Sequence, residues 1–198
     1  MKKVNLAVLI SGSGRTLQNF IDLIGQGKLP ATIQVVISSK PDVQGLERAR
    51  NHTIPAFVVD RKKYKSKEEF SAAINNILKK YSIDLITLAG FLHLYVIPQE
   101  YHRKVMNIHP ALLPDFGGDG FYGDKVHQAV LDAGAKESGC TVHFADNTYD
   151  TGPILVQKKV PVLAGDTVHS LADRVFEAEK EAYPEAIRLF AEGNLSKK

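Results

Sequence analysis

Two short segments of the sequence carry side chains of the types that acyl-transfer chemistry needs. Asn107 and His109 stand two residues apart at the end of an apolar run, so an extended strand would place both on one face. An amide N–H can stabilise a developing oxyanion, and an imidazole moves protons near neutral pH. Asp150 could hold that imidazole in a defined protonation state if its loop meets the first segment. The spacing alone does not show such a meeting, and His109 and Asp150 could equally be an ordinary strand-end histidine and a turn residue.

Residues 11–16 (SGSGRT) form a second candidate site, between an apolar run and a helical pattern. Two glycines allow a tight turn, and the free N–H groups of a helix start suit a phosphate. The segment lacks the Gly-Lys-Ser/Thr ending of a P-loop, and Leu17 stands where a dinucleotide fingerprint has its third glycine. The pattern therefore favours a phosphate monoester over a dinucleotide, and the alternative is a glycine turn without a ligand.

The remaining motifs argue against several other kinds of site. The sequence contains no HExxH or comparable metal spacing and no GxSxG nucleophile elbow, so we expect no bound metal. Cys140 is the only cysteine, which excludes an internal disulfide. His143 alternates with apolar neighbours and is either buried or directed to a site. The basic tract 61–67 is either a solvated loop or the partner of an anionic ligand tail.

Length and composition are those of an ordinary globular domain. The chain has 198 residues, a formal charge of +3 and 44% hydrophobic residues, which predicts one domain. A nucleic-acid-binding domain of this size usually has a basic tract with interleaved aromatic residues. One tract of this kind stands out, 61–67 with Tyr64, and its two interpretations are those given above. No apolar run is long enough to span a membrane. The start of the chain does not resemble a secretory signal. We therefore expect a cytoplasmic protein that binds neither nucleic acid nor membrane.

Strand-like apolar segments alternate with helical patterns along the whole chain. Strands are predicted at 4–10, 33–37, 55–59, 84–88, 105–109, 140–145 and 154–162. Helices are predicted after residue 16, at 44–51, after a capping box formed by Ser66 and Glu69, at 124–133, and after Thr167 with a kink or break at Pro184. The stretch 110–123 is predicted to be a loop. This order predicts an α/β, Rossmann-like, mostly parallel sheet of about seven strands flanked by helices. Ligands of such sheets bind beyond the carboxyl ends of the strands.

The sequence resembles the phosphoribosylglycinamide formyltransferases, the folate-dependent glycinamide ribonucleotide transformylases of purine synthesis. The shared segments are LISGSG at 9–14, GLERA at 45–49, LAGF at 88–91, NIHPALLP at 107–114, GCTVHF at 139–144, DTGPIL at 150–155 and VPV at 160–162. The resemblance covers essentially the whole chain. It implies one formyltransferase-fold domain over 1–198, with a phosphate-binding half at about 1–100 and a catalytic and folate-binding half at about 84–198.

The resemblance also implies substrates and roles. The formyl donor would be 10-formyltetrahydrofolate, the acceptor glycinamide ribonucleotide, and the protein a monomer or homodimer. Asn107, His109 and Asp150 match the catalytic residues, with Asp150 raising the pKa of a protonated His109. The acceptor's phosphate would be bound by Gly14, Arg15 and Thr16, and the acceptor itself by Glu179. The folate-binding positions are Lys67, Leu92, His93, Leu94, Tyr95, Asn107, Asp146, Asn147, Thr148, Tyr149 and Asp150.

Some positions depart from the pattern of the family. Arg15 and Thr16 stand where many relatives have serine and asparagine, and Lys67 and His93 stand where arginine is frequent. The loop 115–123 is glycine-rich and is expected to be a mobile flap.

Three alternative functions remain open at this stage. A formyltetrahydrofolate deformylase would carry an additional amino-terminal domain, and a methionyl-tRNA formyltransferase an additional carboxy-terminal domain. We expect neither, because the chain begins at the first strand and ends at Lys198. The third alternative is a phosphate-binding module without catalysis.

Overall fold

The computed structural model describes residues 3–194, and this part of the chain contains seven strands and five α-helices. The strands are β1 (Val4–Ile10), β2 (Ala31–Ser38), β3 (Ala56–Val58), β4 (Leu85–Leu88), β5 (Val105–His109), β6 (Glu137–Phe144) and β7 (Ile154–Pro161). The helices are α1 (Arg15–Gly25), α2 (Gln44–Asn51), α3 (Lys67–Leu78), α4 (Asp124–Asp132) and α5 (Val168–Ala191). Short 3-10 turns lie at Arg61–Lys63 and Gln99–Tyr101.

All seven strands belong to one sheet, in the order β3-β2-β1-β4-β5-β6-β7. Strands β1 to β5 pair in parallel, whereas β6 runs antiparallel to both β5 and β7. The predicted α/β fold class is therefore confirmed. The chain proceeds outwards from β1 to β3 and then returns to β4 on the other side of β1. This reversal leaves a crevice beyond the carboxyl ends of β1 and β4, where ligands of such sheets bind.

The sheet is covered by apolar side chains on both faces, because alternate residues of a strand point to opposite sides. In β1, Leu6, Val8 and Ile10 pack with residues of α1, α4 and α5. Ala7 and Leu9 face the other side, where they pack with residues of α3. A continuous apolar run is what a strand buried on both faces requires, so the pattern in β1 is explained by the two layers. None of the helices in residues 3–194 is both long and apolar enough to cross a membrane.

Several predicted boundaries differ from those observed. Strand β6 begins at Glu137 rather than at 140, and β3 covers only Ala56–Val58. The capping box at Ser66 is half formed: its hydroxyl accepts from the N–H of Glu69 at 3.1 Å, but the Glu69 carboxylate accepts from the N–H of Lys65. The predicted cap at Thr167 is present, as a complete capping box with Ser170.

Helix α5 does not break at Pro184 but continues through it. A proline inside a helix has no N–H to donate to the carbonyl four residues before it, which leaves that carbonyl without its usual partner. The carbonyl in question belongs to Lys180, and it accepts a hydrogen bond of 2.9 Å from the side-chain amide of Asn19 on α1. The contact between the two helices thus satisfies the group that the proline releases.

The first loop is held in place by the start of α2. An ideal Cβ on Gly45 would lie 2.4 Å from Cδ1 of Ile10 and 3.0 Å from the carbonyl oxygen of Gly12. Gly14 has a φ of 70°, and its own Cβ would lie 2.7 Å from Cα of Gly45. Arg48 adds a hydrogen bond of 2.9 Å from Nε to the carbonyl of Ser13. The two segments therefore approach too closely for side chains at either glycine.

We predict that Gly45→Ala lowers the free energy of unfolding by about 1–3 kcal/mol, because the added methyl group must displace Ile10 or the loop backbone. The matched control is Gly25→Ala, at the last residue of α1, where a Cβ would meet nothing within 4 Å. That control is expected to leave stability unchanged or slightly raised. Denaturant midpoints of the two variants make the comparison, and equal stabilities would contradict the proposed steric role of Gly45.

Candidate active site

The segment with Asn107 and His109 and the loop with Asp150, whose contact the sequence spacing does not show, meet at the carboxylate of Asp150. Nδ2 of Asn107 donates to Oδ1 of Asp150 at 3.2 Å. Nδ1 of His109 lies 3.3 Å from Oδ2 of the same carboxylate, and the two side chains are only 4% and 8% exposed. Asn107 and His109 project from the same side of β5, as strand alternation predicts. The geometry thus brings the three predicted catalytic residues into one hydrogen-bonded cluster.

His143 is a fourth member of this cluster. Its Nε2 lies 3.4 Å from Oδ1 of Asp150 and 3.2 Å from Nδ2 of Asn107, and its Nδ1 lies 2.9 Å from the carbonyl of Phe144. The cause is the antiparallel pairing of β5 with β6, in which Asn107 and His143 are direct partners. The sequence indicated that His143 was buried or directed to a site, but not which, because the pairing of β6 was not predicted.

The loop 115–123 covers the cluster with two backbone groups. The carbonyl oxygen of Phe116 lies 2.7 Å from Nε2 of His109, and the N–H of Gly118 donates to Oδ2 of Asp150 at 3.1 Å. The loop was expected to be a flap, and its described contacts tie it to the side chains beneath. Both ring nitrogens of His109 face oxygen atoms that only accept hydrogen bonds, an arrangement that favours the imidazolium.

A cavity of about 400 Å³ opens beside the cluster, beyond the carboxyl ends of β1, β4 and β5. This acceptor cavity, as we call it, is bordered by the start of α1, by α5, by α4 and by the loop 115–123. Of the predicted site residues, it is lined by Arg15, Thr16, Leu92, Asn107, His109, Tyr149, Asp150 and Glu179. It is also lined by Phe91, His127 and Phe176, which the sequence did not single out. Gly14 lies just outside as the residue that caps α1.

A second cleft, the donor cleft, lies on the other side of the cluster and holds only about 50 Å³. It is lined by Leu88, Phe91, His93, Leu94, Tyr95, Asn107, His143, Ala145, Asp146, Thr148, Tyr149 and Asp150. Eight of the eleven predicted folate-binding positions are in this set. Four residues line both spaces: Phe91, Asn107, Tyr149 and Asp150. The cluster therefore stands at the junction of the two.

Three predicted folate-binding residues lie elsewhere. Leu92 faces the acceptor cavity instead, because its N–H is held by the hydroxyl of Ser11 at 3.0 Å. Asn147 turns away from the donor cleft, and its Oδ1 accepts from the N–H of Ile97 at 2.8 Å. Lys67 is the first residue of α3 and lines neither space within the described part of the chain.

The basic tract reaches the donor side through a different residue. Burial lowers the pKa of His93, and the charges of Arg61 and Lys40 lower it further. Arg61 also lies with its guanidinium 5.7 Å from the ring centre of Phe70. The described contacts thus bring Arg61, rather than Lys67, close to the rim of the cleft.

Comparison with known proteins gives the family. Residues 4–187 match the formyl transferase family. The chain belongs to that family. Glycinamide ribonucleotide transformylase 1 from Symbiobacterium toebii is 43% identical and superposes with a TM-score of 0.92, covering 99% of this chain and 91% of that one. Phosphoribosylglycinamide formyltransferase from Brucella melitensis is 40% identical with a TM-score of 0.86, and 96% of each chain is covered.

Relatives among longer proteins match over the same range. The human trifunctional purine biosynthetic protein adenosine-3 is 42% identical over 196 residues, which is 98% of this chain but 19% of the human protein. The phosphoribosylglycinamide formyltransferase of Vigna unguiculata, described as chloroplastic, is 40% identical, and the match covers 62% of it. This formyl transferase chain thus spans 19% of the human trifunctional relative and 14% of that of Drosophila melanogaster.

Burial and neighbouring charges act in opposite directions on the ionisable groups of the cluster in this formyl transferase. Burial lowers the pKa of His109, and the carboxylate of Asp150 and the carbonyl of Phe116 oppose it without overcoming it. Asp150 therefore acts in the expected direction, but the pKa of His109 is lowered overall rather than raised. The physical reason is that burial destabilises the charged ring, through lost hydration, by more than one nearby carboxylate stabilises it.

Asp150 remains ionised despite its burial. Burial alone would raise the pKa of its carboxyl, but hydrogen bonding from His143, the charge of His109 and the N–H of Gly118 together bring it below the ordinary value. A carboxyl whose pKa is lower in the folded state stabilises the fold above its unfolded pKa. That contribution is lost as the pH falls through the folded value, in the acid range below 3.8.

Two further charged groups border the acceptor cavity. The guanidinium of Arg15 lies 3.8 Å above the ring of Phe176 and 3.2 Å from Oδ1 of Asp173. Both members of this ion pair are largely exposed, so the pair is weak and Arg15 can exchange partners at low cost. Burial raises the pKa of Glu179 to about 7, against the opposing charge of Arg15. Within residues 3–194, no group of three or more metal-ligating side chains is arranged to hold an ion.

We predict that Asp150→Asn lowers the pKa of His109 further, because the carboxylate is the main group that favours the imidazolium against burial. The pKa is measured by NMR titration of the imidazole carbon and proton signals, assigned with a His109 variant. Asp173→Asn is the matched control, since it removes a carboxylate at the outer edge of the acceptor cavity. An unchanged or higher pKa in Asp150→Asn would show that Asp150 does not support the charged ring.

Proposed function

We propose that this protein transfers a formyl group from 10-formyltetrahydrofolate to the amine of glycinamide ribonucleotide in purine biosynthesis, forming formylglycinamide ribonucleotide and tetrahydrofolate. One observation carries the proposal. Asn107 and Asp150 line both the acceptor cavity and the donor cleft, so the cluster is in reach of two molecules at once. Direct transfer between two substrates requires such a junction. The matched relatives that are named for this reaction support the same function.

The acceptor cavity suits a phosphorylated amine. The first loop ends in Gly14, whose positive φ turns the chain so that the N–H groups of Arg15 and Thr16 begin α1. A helix start of this kind favours an anion, and the guanidinium of Arg15 supplies a full positive charge at the same place. We assign the phosphate to Gly14, Arg15 and Thr16. Glu179, farther along the cavity wall, contacts the uncharged part of the acceptor.

The donor cleft suits a flat, partly apolar ring bordered by polar groups. Leu88, Phe91 and Tyr95 supply apolar walls, and Asp146 and Thr148 supply polar edges. Its volume of about 50 Å³ is well below the roughly 300–1,000 Å³ typical of ligand pockets. The cleft therefore accommodates only part of a folate within its walls. Tyr149, which is exposed and lies in the loop after β6, also lines the cleft.

In the reaction, the acceptor's amine attacks the formyl carbon and forms a new carbon–nitrogen bond. The carbonyl oxygen becomes an oxyanion, which accepts hydrogen bonds from the amide of Asn107 and from Nε2–H of protonated His109. To do so, His109 exchanges the carbonyl of Phe116 for the substrate oxygen. The bond from the formyl carbon to the folate nitrogen then breaks, and a proton lost by the amine reaches that nitrogen. Asp150 favours the charged form of His109 against the opposing effect of burial.

The two halves of the chain have different functions. We assign phosphate binding to residues of about 1–100, and catalysis and folate binding to residues of about 84–198, which overlap around β4. On the donor side we retain His93, Leu94, Tyr95, Asp146, Thr148 and Tyr149 as folate contacts. The folate is thus a substrate that carries the formyl group. Side chains of the protein itself carry out the acid–base catalysis.

The test is a spectroscopic assay of folate release from a 10-formyl folate. We expect release that depends on added glycinamide ribonucleotide. His109→Ala should reduce the rate by at least about 100-fold, because it removes a proton-bearing group at the reacting atoms. His169→Ala, the same substitution at an exposed position on α5, is the matched control and should retain full activity.

Two results would overturn the proposal. Release of folate at the same rate without the ribonucleotide would indicate a deformylase that uses water as the acceptor. No release under either condition, with the ribonucleotide still bound, would indicate a phosphate-binding module.

A further inference from the structure

His127 is a buried polar residue of the acceptor cavity to which neither the sequence nor the cluster gives a role. It lies on α4, is 5% exposed and lines the cavity together with Arg15, His109 and Glu179. Its Nδ1 is sealed from solvent and has no hydrogen-bond partner within residues 3–194. Buried polar atoms without a partner are rare in native proteins, because the lost hydration is not replaced. An apolar side chain would fill this position at less cost to folding.

The environment of Nδ1 determines which nitrogen carries the proton. A neutral imidazole has one N–H donor and one bare acceptor nitrogen. Nδ1 has no hydrogen-bond acceptor beside it, so a proton on Nδ1 would make no hydrogen bond. The favoured tautomer therefore carries its proton on Nε2. Burial and the charge of His109 lower the pKa of His127, against the opposing carboxylate of Asp124. The ring is therefore neutral near pH 7 and offers a single N–H donor, from the nitrogen that is not sealed off.

The other groups of the cavity indicate what this donor meets. The proposed function assigns Arg15 to the charged phosphate of the acceptor, and Asn107 and His109 to the reacting atoms. Because those groups are already assigned to the phosphate and to the reacting atoms, the neutral N–H of His127 is left for an uncharged oxygen of the acceptor. Glu179, with its pKa raised to about 7, is likewise a weakly charged group on the cavity wall. His127 and Glu179 therefore both present weakly charged or neutral polar groups to the cavity.

We infer that His127 binds an uncharged oxygen of the acceptor ribonucleotide through Nε2–H and so positions its amine for attack. This rests on the proposed function and adds a binding residue to it. The oxygen belongs either to a ribose hydroxyl or to the glycinamide carbonyl, which share the same chemistry as hydrogen-bond acceptors. In this arrangement Nδ1 stays without a partner because the ring is oriented to direct Nε2–H, on its opposite side, to the acceptor.

The test compares three substitutions at one position. Glutamine can place an amide N–H near the position of Nε2, asparagine places one near Nδ1, and leucine places none. We measure binding of glycinamide ribonucleotide by calorimetry, and the KM values of both substrates. His127→Leu and His127→Asn should weaken ribonucleotide binding about tenfold, the usual effect of one neutral hydrogen bond. His127→Gln should stay within about threefold of the parent protein, and KM for the folate should not change.

Unfolding midpoints separate binding from a purely structural role. His127→Leu is expected to be at least as stable as the parent protein, because it removes an unpartnered nitrogen from the interior. The inference is wrong if His127→Leu binds the ribonucleotide as tightly as the parent does. It is also wrong if all three variants lose binding and stability together, which is the pattern of a packing residue.

Parallel assays distinguish this inference from the proposed function. If the parent protein uses the ribonucleotide and the three variants match it, only the role of His127 fails. If the parent protein neither binds nor uses the ribonucleotide, the proposed function fails and the role of His127 fails with it. Analogues that lack one ribose hydroxyl identify the oxygen. If a ribose hydroxyl is the partner of His127, His127→Leu no longer weakens binding of the analogue that lacks that hydroxyl. If the partner is the glycinamide carbonyl, His127→Leu weakens binding of every deoxy analogue.

Discussion

The buried carboxylate of Asp150 is the constraint around which the site is built. An ionised carboxylate loses several kcal/mol of hydration on burial unless its oxygens find donors. Each oxygen of Asp150 has two: Oδ1 faces Asn107 and His143, and Oδ2 faces His109 and the N–H of Gly118. These partners come from β5, β6 and the loop 115–123. Satisfying one charge therefore fixes the relative positions of three separate segments.

The sheet supplies this arrangement by combining two kinds of strand pairing. Its parallel part creates the crevice beyond β1 and β4, where the first loop and α1 present N–H groups and Arg15. Its antiparallel part brings β6 beside β5, which places His143 opposite Asn107 and returns the chain to Asp150. The cluster stands where the two parts meet. The position between an acceptor cavity and a donor cleft is thus a consequence of the strand order.

Strand bounds and candidate catalytic residues, which depend on local sequence patterns, could be predicted from the sequence. Burial, pKa shifts and contacts between residues distant in the sequence could not. The continuous apolar run gave the bounds of β1, and the strand-like segment ended by Pro110 gave those of β5. The residue types of Asn107, His109 and Asp150 indicated their chemistry. The role of His143 depended on the direction of β6, and the burial of His127 on the packing of α4. The pKa of His109 depended on how far burial outweighs Asp150. The same holds for Pro184, whose effect on α5 is offset by Asn19 on another helix.

His109 and Asp150 should act as one unit in formyl transfer, and a double-mutant cycle on the single-turnover rate tests this coupling. The cycle uses His109→Ala, Asp150→Ala and the double variant, each with saturating substrates. Residues that act together lose most of their effect when either is removed. We expect the double variant to be slower than the slower single variant by no more than about threefold. A double variant whose loss equals the product of the two single losses would contradict it.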